Sequence, residues 1–419
     1  MELKNKYWKL VDEKQDELVK FVSDFIKIPS ENPTGTMDGV VAFVKDYLSN
    51  SNINFQEVTY NSKFPNIIAT MGDNEDNKIL LNGHADVVPV GDLDQWSFDP
   101  FGGEITDTRI LGRGTSDMKA GLAGLMFAMR LLKQTNAKID GQLELHVVTD
   151  EESGGEYGTK SLIENGYGKN AKACIIAEPT SNDNIEVGQK GSLNIKIKAK
   201  GVSAHGSIGN YVGENAIEKI TTILSRIHEL REMKGHYKES QLKVLADSKE
   251  IARNSLNAEG SENVIDHVAV NVGIINGGVK DNMVPDYCEA HINCRLPIGV
   301  KCLDVENRTR EIVDELNLTG ITLEFKWNCE ANYTEDTTDL VQSLVKNAEA
   351  VWQRKVTPAY QWATSDARYY RYIDIPTIQF GPANLGGIHS YNEDVDIEDV
   401  VNSTKVYLAV LIDLLNITE

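Results

Sequence analysis

The apolar residues of the chain follow two alternating periods, one typical of helices and one typical of strands. Apolar positions recur at helical spacing in residues 1–27, 38–50 and 118–134. The strands predicted among these helices are 55–60, 66–71, 78–82, 143–148 and 173–177. Further elements of the same kinds follow residue 332, at 338–352, 377–380 and about 397–415. Strands that alternate with helices predict an α/β fold with a mostly parallel sheet.

The pattern changes near residue 189, where the predicted order becomes strand, helix, two strands, helix and strand. These elements are predicted at 192–201, 213–233, 268–275, 289–296, 303–317 and 322–326. The order is typical of a ferredoxin-like α+β sandwich. We therefore predict an inserted domain at 189–331, with residues 1–188 and 332–419 forming the α/β domain. Residues 234–263 are polar and poorly patterned, which predicts a loop excursion.

Composition limits the class of protein. The chain has 419 residues, of which 41% are hydrophobic and 25% charged, as in a globular protein of two or three domains. Its formal net charge of -21 disfavours nucleic acid as a partner. Charges run through residues 1–27 and no apolar run reaches about 18 residues, so we expect neither a secretory signal nor a membrane span. Five cysteines without a C-x-x-C pair favour a reducing, cytoplasmic compartment.

Three consecutive acidic residues, Asp150, Glu151 and Glu152, follow the predicted strand at 143–148. Acidic side chains crowded at a strand end repel one another unless something cationic holds them together. Neighbours on an extended chain point to opposite sides, so one glutamate could bind a metal while the other moves a proton. The alternative is a solvated acidic turn.

Other candidate ligands lie beside predicted strands and helices. His84 and Asp86 follow a buried strand, where an imidazole suits a zinc ion and the aspartate suits a partner that orients the ring. Asp117 precedes a helix, Glu178 follows a strand, and His389 lies in a late loop. Alone, each has an ordinary explanation as a core histidine, a helix cap, a turn acid or a loop residue.

Together these residues form a nitrogen and oxygen donor set without thiolate, which suits zinc, or cobalt or manganese by substitution. Five candidate ligands exceed what one catalytic zinc needs, and a bridging carboxylate would let them hold two ions. Glu151 is then the carboxylate left to act as a base.

The chain resembles the zinc aminoacylase, acetylornithine deacetylase, succinyl-diaminopimelate desuccinylase and carboxypeptidase family. The resemblance extends over nearly the whole chain, from Ile28 to the loop of His389. It is carried by three motifs in order, Gly83-His84-Ala85-Asp86-Val87-Val88-Pro89, Gly112-Arg113-Gly114-Thr115-Ser116-Asp117-Met118-Lys119-Ala120-Gly121 and Asp150-Glu151-Glu152.

This resemblance implies two zinc ions per subunit and a cis peptide bond between Asp117 and Met118. The roles that it implies are those of His84 and Glu178 as ligands of one ion, Glu152 and His389 as ligands of the other, Asp117 as the bridging carboxylate, Glu151 as general base and Asp86 as the partner of His84.

The inserted domain resembles the lid of that family, which commonly mediates dimerisation. By this resemblance His205 reaches across a homodimer and stabilises the oxyanion, whereas the alternative is a surface histidine. Asn282 and Arg295 match substrate-binding positions, and a guanidinium suits a substrate carboxylate. For Arg295 the alternative is a salt bridge within the lid. The motif Thr364-Ser365-Asp366-Ala367-Arg368 resembles a loop on the catalytic side, in which Thr364 contacts substrate.

These inferences predict a di-zinc amidohydrolase that cleaves the N-acyl bond of a small amino-acid-like substrate. A dipeptidase or carboxypeptidase, or a formyl-amide hydrolase acting on a heterocyclic amine, would use the same core. A metal-dependent binding protein without catalysis is disfavoured, because a pure metal site has no need of Glu151. A nucleotide-dependent enzyme, suggested by Gly112-x-Gly114, is disfavoured because the full glycine spacing after a strand is missing.

Overall fold

The computed structural model describes residues 1–180 and 183–418. Its helices, in chain order, are α1 (Glu2–Glu13), α2 (Gln15–Ile26), α3 (Asp38–Asn50), α4 (Lys119–Gln134), α5 (Ser161–Glu164), α6 (Ala216–Ile227), α7 (Leu242–Leu256), α8 (Asn263–Asp266), α9 (Cys302–Glu315), α10 (Asp339–Trp352), α11 (Ala367–Arg371) and α12 (Ile397–Leu414). Among the described residues, no helix has both the length and the apolar character needed to cross a membrane.

The strands, again in chain order, are β1 (Asn54–Thr59), β2 (Pro65–Gly72), β3 (Lys78–His84), β4 (Arg109–Leu111), β5 (Gln142–Val148), β6 (Ala173–Ile176), β7 (Asn184–Gln189), β8 (Gly191–Lys200), β9 (Ala269–Gly277), β10 (Tyr287–Leu296), β11 (Ile321–Cys329), β12 (Asn332–Tyr333), β13 (Thr357–Gln361), β14 (Thr377–Gln379) and β15 (Asp394–Asp396). Most of the predicted elements are present within a few residues of their expected limits.

Packing divides the described chain into two compact units. The first unit comprises Met1–Val187, Thr334–Ala359 and Ser365–Glu419, and the second comprises Gly188–Tyr333 and Tyr360–Thr364. The inserted domain expected at residues 189–331 stays a prediction. The second unit differs from it by including the short segment 360–364, which is distant in sequence.

The first unit is built on a mixed sheet with the strand order β1-β2-β5-β3-β6-β14-β7. The central strands β5, β3, β6 and β14 are parallel, and antiparallel strands lie on both sides of them. Every residue of β3 is buried, as expected for a strand covered on both faces. The predicted α/β class with a parallel sheet centre is confirmed.

Helix α4 packs against β3 on one side and against α12 on another. Its close approach to the sheet depends on Gly121, because a Cβ atom at that position would lie 2.2 Å from the carbonyl oxygen of Ala177. The helix thus begins directly above the ends of the central strands, where the candidate site residues lie.

The second unit contains an antiparallel sheet with the order β11-β8-β10-β9. Helices α6 and α9 pack against it, so the four strands and these two helices follow in the order β-α-β-β-α-β, with α7 and α8 inserted between α6 and β9. Inward positions of β8 such as Leu193, Ile195 and Ile197 are buried together with Ile220 and Ile223 of α6. The predicted ferredoxin-like arrangement is confirmed.

The loop excursion predicted at residues 234–263 is wrong, because the segment contains helix α7 and the start of α8. The buried residues of α7 are Val244, Ser248 and Ala252, which lie four residues apart along one narrow face. Such a face carries little apolar signal. The Ser248 hydroxyl accepts a hydrogen bond from the backbone N–H of Tyr360 at 2.8 Å within the same unit.

We expect Gly121→Ala to destabilise the protein although alanine favours a helix by about 1 kcal/mol. The added methyl group would meet the backbone of Ala177, and overpacking of this kind costs about 1–3 kcal/mol. The free energy of unfolding, measured by denaturant titration, should therefore fall. Gln134→Ala, at an exposed position in the same helix, serves as the control, and a more stable Gly121→Ala variant would contradict the close packing.

Candidate metal centre

The candidate site lies at the carboxyl ends of the central parallel strands. β3 ends at His84, the acidic turn 150–152 follows β5, and Glu178 follows β6. Parallel strands bring such positions to one edge of a sheet, where α/β folds place their sites. His389 lies in the loop between β14 and β15 and joins the same edge.

Asp117 lies between two imidazoles. Its Oδ1 atom is 3.0 Å from Nε2 of His84, and its Oδ2 atom is 3.2 Å from Nε2 of His389. The N-cap of α4 is Met118, with no side-chain cap, so Asp117 does not cap the helix. The peptide bond between Asp117 and Met118 is cis, as the resemblance implies.

Two groups of potential ligand atoms share His84. In one group His84, Asp117 and Glu152 place one ligand atom each within 4.8 Å of one another, and in the other His84, Glu151 and Glu178 do so. Nε2 of His389 lies 3.3 Å from Oε1 of Glu152. The structure thus brings all five predicted ligands and Glu151 together.

The charges in this cluster are strongly perturbed. Burial, followed by repulsion from Glu178, raises the pKa of Glu151 well above its usual value. Burial also raises the pKa of Glu178 well above its usual value. Burial also raises the pKa of Glu152. Burial opposes ionisation of Asp117, but its bonds to the two imidazoles outweigh this and lower its pKa. Hydrogen bonds to Asp117 and Glu152 raise the pKa of His389 to about 10.

The residues present fit divalent cations. Imidazole nitrogens and carboxylate oxygens without thiolate are donors that suit zinc, cobalt or manganese. The buried Oε1 atom of Glu152 accepts no hydrogen bond of acceptable geometry, although His389 is near. Buried carboxylates whose ionisation is disfavoured would be stabilised by a cation in contact with them.

Asp86 lies beside His84, and its further contacts with Asn32 and the acidic turn were not predicted from the sequence. Nδ1 of His84 lies 2.8 Å from the backbone oxygen of Asp86 and 3.4 Å from its carboxylate. The other carboxylate oxygen accepts hydrogen bonds from Asn32 at 2.8 Å and from the backbone N–H of Glu152 at 3.2 Å. Asn32 also accepts a bond from the Ser153 hydroxyl at 2.7 Å. The buried Asn32 therefore connects Asp86 with the acidic turn.

Sequence reasoning also missed Asp366, although the residue lies in a motif that the resemblance covers. Its carboxylate is fully buried, and a Cβ atom at Gly155 would lie 2.2 Å from its Oδ1 atom. Burial raises the pKa of Asp366. Gly155 is thus needed because this carboxylate approaches the acidic turn closely.

The remaining candidates, His205, Asn282, Arg295 and Thr364, belong to the second unit. His205 is exposed, and the backbone N–H of Gly206 next to it donates to the carbonyl oxygen of Asn282 at 2.7 Å. Nη1 of Arg295 donates to the Thr364 hydroxyl at 3.0 Å. Thr364 belongs to the second unit, whereas Ser365 to Arg368 of the same motif belong to the first. Its contact with substrate stays a prediction.

Known proteins resemble this chain over almost its whole length. A probable succinyl-diaminopimelate desuccinylase of Staphylococcus epidermidis is 27% identical over 399 residues, covering 94% of this chain and 96% of the relative. An M20 family metallo-carboxypeptidase from Sulfolobus solfataricus aligns with a TM-score of 0.79 at 19% identity, over 95% of this chain and 99% of that chain. Human carnosine dipeptidase 1 aligns with a TM-score of 0.77 at 15% identity, over 99% of each chain.

The family model of peptidase family M20/M25/M40 matches residues 80–413, which is well over half of the chain. The matched range includes all five residues of the predicted metal centre. The family resemblance read from the motifs is confirmed. The chain therefore belongs to peptidase family M20/M25/M40 and is a metallohydrolase that acts on amide bonds.

Proposed function

We propose that this protein hydrolyses the N-acyl amide bond of a small amino-acid-like substrate with the help of two zinc ions. The observation that carries the proposal is the position of Glu151 within 4.8 Å of His84 and Glu178, in a cluster that also holds Asp117, Glu152 and His389. A site that only stored metal would have no use for this additional carboxylate, whose pKa is raised. The similarity to a probable desuccinylase supports an N-acylated amino acid as substrate.

In this proposal His84 and Glu178 would hold one ion, Glu152 and His389 would hold the other, and Asp117 would offer one carboxylate oxygen to each. The support is the position of the two Asp117 oxygens, each of which lies close to a different imidazole. Zinc is the proposed metal because this donor set suits it, and cobalt or manganese would match the same donors.

When bound, the two ions polarise the amide carbonyl and lower the pKa of the attacking water. Glu151 accepts a proton from this water as its oxygen attacks the carbonyl carbon. The same carboxyl then gives the proton to the amine nitrogen as the carbon–nitrogen bond breaks. The raised pKa of Glu151 favours uptake of this proton by its carboxylate. Asp86 orients His84 through its backbone oxygen and carboxylate.

His205 is proposed as a hydrogen-bond donor to the oxyanion, acting across a homodimer formed through the second unit. The backbone N–H of Ser207 donates to its Nδ1 atom at 3.2 Å, so a neutral ring carries its proton on Nε2 and can donate there.

Arg295, with Thr364 and Asn282, is proposed to bind a carboxylate of the substrate. Arg295 is half-buried and donates from Nη1 to the Thr364 hydroxyl, and a guanidinium is suited to bind a carboxylate.

A cytoplasmic location is proposed as well. All five cysteines lie among the described residues, where they are buried and form no disulfide, which agrees with a reducing compartment. The acidic net charge of -21 supports a small-molecule substrate rather than nucleic acid.

A dipeptidase or carboxypeptidase is the second candidate, favoured by the structural likeness to proteins of those names. A formyl-amide hydrolase acting on a heterocyclic amine is the third. Steady-state assays of zinc-loaded protein with N-succinyl, N-acetyl and N-formyl amines beside dipeptides separate them. The proposal expects the highest kcat/KM for an N-acyl amino acid, and a clear preference for dipeptides would establish the second candidate instead.

Glu151→Gln should lower kcat by at least about 100-fold, because proton transfer by a positioned side chain contributes about 10²–10⁴-fold. Its zinc content should stay near that of the wild-type protein, as measured by elemental analysis after gel filtration. Glu152→Gln should instead lose zinc. Glu156→Gln, an exposed neutralisation in the same segment, should leave both properties unchanged. Loss of both ions from Glu151→Gln would show that Glu151 is a ligand.

His205→Ala should lower kcat by about 100-fold with little change in KM, because one oxyanion donor contributes about 10²–10³-fold. His228→Ala changes another exposed histidine of the second unit and should have no effect. Rates of the two variants are compared at saturating substrate and zinc. Equal rates for the two variants would show that His205 is an ordinary surface histidine without a part in catalysis.

A further inference from the structure

A buried carboxylate holds together the two loops that carry Asp117 and His389. Glu393 follows His389 closely in sequence and has no measurable exposure. It belongs to neither of the two groups of potential ligands. Its side chain is nevertheless fully occupied by bonds to the loop of Asp117.

Four donors converge on the Glu393 carboxylate. Its Oε1 atom accepts hydrogen bonds from the backbone N–H groups of Gly114, Ser116 and Asp117, at 3.1, 2.9 and 3.1 Å. Its Oε2 atom accepts a bond from Nη1 of Arg113 at 2.6 Å. The backbone of Asp117 is thus fixed by a single distant side chain.

Arg113 extends this connection to the other loop. Its Nη2 atom donates to the carbonyl oxygen of Ser390, the residue after His389, at 2.9 Å. The guanidinium lies 5.2 Å from the ring centroid of Trp96, and its side chain is buried. The backbone N–H of Gly112 also donates to the Glu393 carbonyl oxygen at 2.9 Å.

The backbone of His389 needs such support. Its φ angle of 55° lies in the left-handed region, which a non-glycine residue adopts only when its surroundings hold it there. Its side chain is 52% exposed, so packing alone fixes it poorly. Hydrogen bonds to charged groups are stronger than neutral ones, and the pair of Arg113 and Glu393 supplies several of them.

We propose that Glu393, acting through Arg113 and the backbone of Asp117, is a positioning residue that sets the affinity of the centre for divalent cations. The inference rests on the proposed function only in requiring that the centre binds such cations. Partners that orient metal ligands commonly change affinity by about 10–100-fold when they are replaced.

The test is a zinc titration of metal-free Glu393→Gln protein by calorimetry, with a chelator as competitor. The amide keeps the size of the side chain but loses its charge and presents an NH₂ group to donors. Zinc affinity should fall about 10–100-fold, and excess zinc should restore kcat without a change in KM. Glu398→Gln removes the same charge from an exposed position in the first turn of α12 and should bind zinc as the wild-type protein does.

Unchanged zinc affinity in Glu393→Gln would overturn the inference, even if its thermal stability fell. If this variant does not fold, Arg113→Lys is titrated in its place. Lysine keeps the positive charge but lacks the planar guanidinium with which Arg113 donates to both Glu393 and Ser390. Weaker zinc binding by Arg113→Lys supports the inference and unchanged binding overturns it. A wild-type protein that binds no zinc would contradict the proposed function itself.

Discussion

Buried carboxylates that repel one another are the constraint on which the centre depends. Glu151, Glu152 and Glu178 have raised pKa values because burial and mutual repulsion disfavour their charged forms. Such a cluster is costly in a folded protein unless cations neutralise it. Asp117 differs, because its bonds to two imidazoles lower its pKa.

The fold meets this constraint by fixing the backbone that carries the ligands. Parallel strands bring His84, the acidic turn and Glu178 to one edge of the sheet, while Asn32 and Glu393 hold the loops that complete the site. The supporting side chains are fully buried and bonded on several sides. Rigid support of this kind keeps ligands close together even though their charges repel.

Local sequence patterns predicted much of the fold and of the candidate site. Strand and helix periods predicted the α/β sheet and the ferredoxin-like unit, and the motifs pointed to the five proposed ligands and to Glu151, which the structure brings together. Helix α7 was missed because its buried face consists of Val244, Ser248 and Ala252, with little apolar contrast. Glu393 and Asp366 were missed because their importance comes from contacts distant in sequence, which no local pattern reveals.

The most direct test of the central claim is crystallography of zinc-loaded protein, with an anomalous difference map calculated above the zinc absorption edge. The account predicts two peaks per chain, one on each side of the Asp117 carboxylate, with separation of about 3.5–4 Å. One peak should contact His84 and the other His389. A single peak, or peaks away from Asp117, would contradict the account.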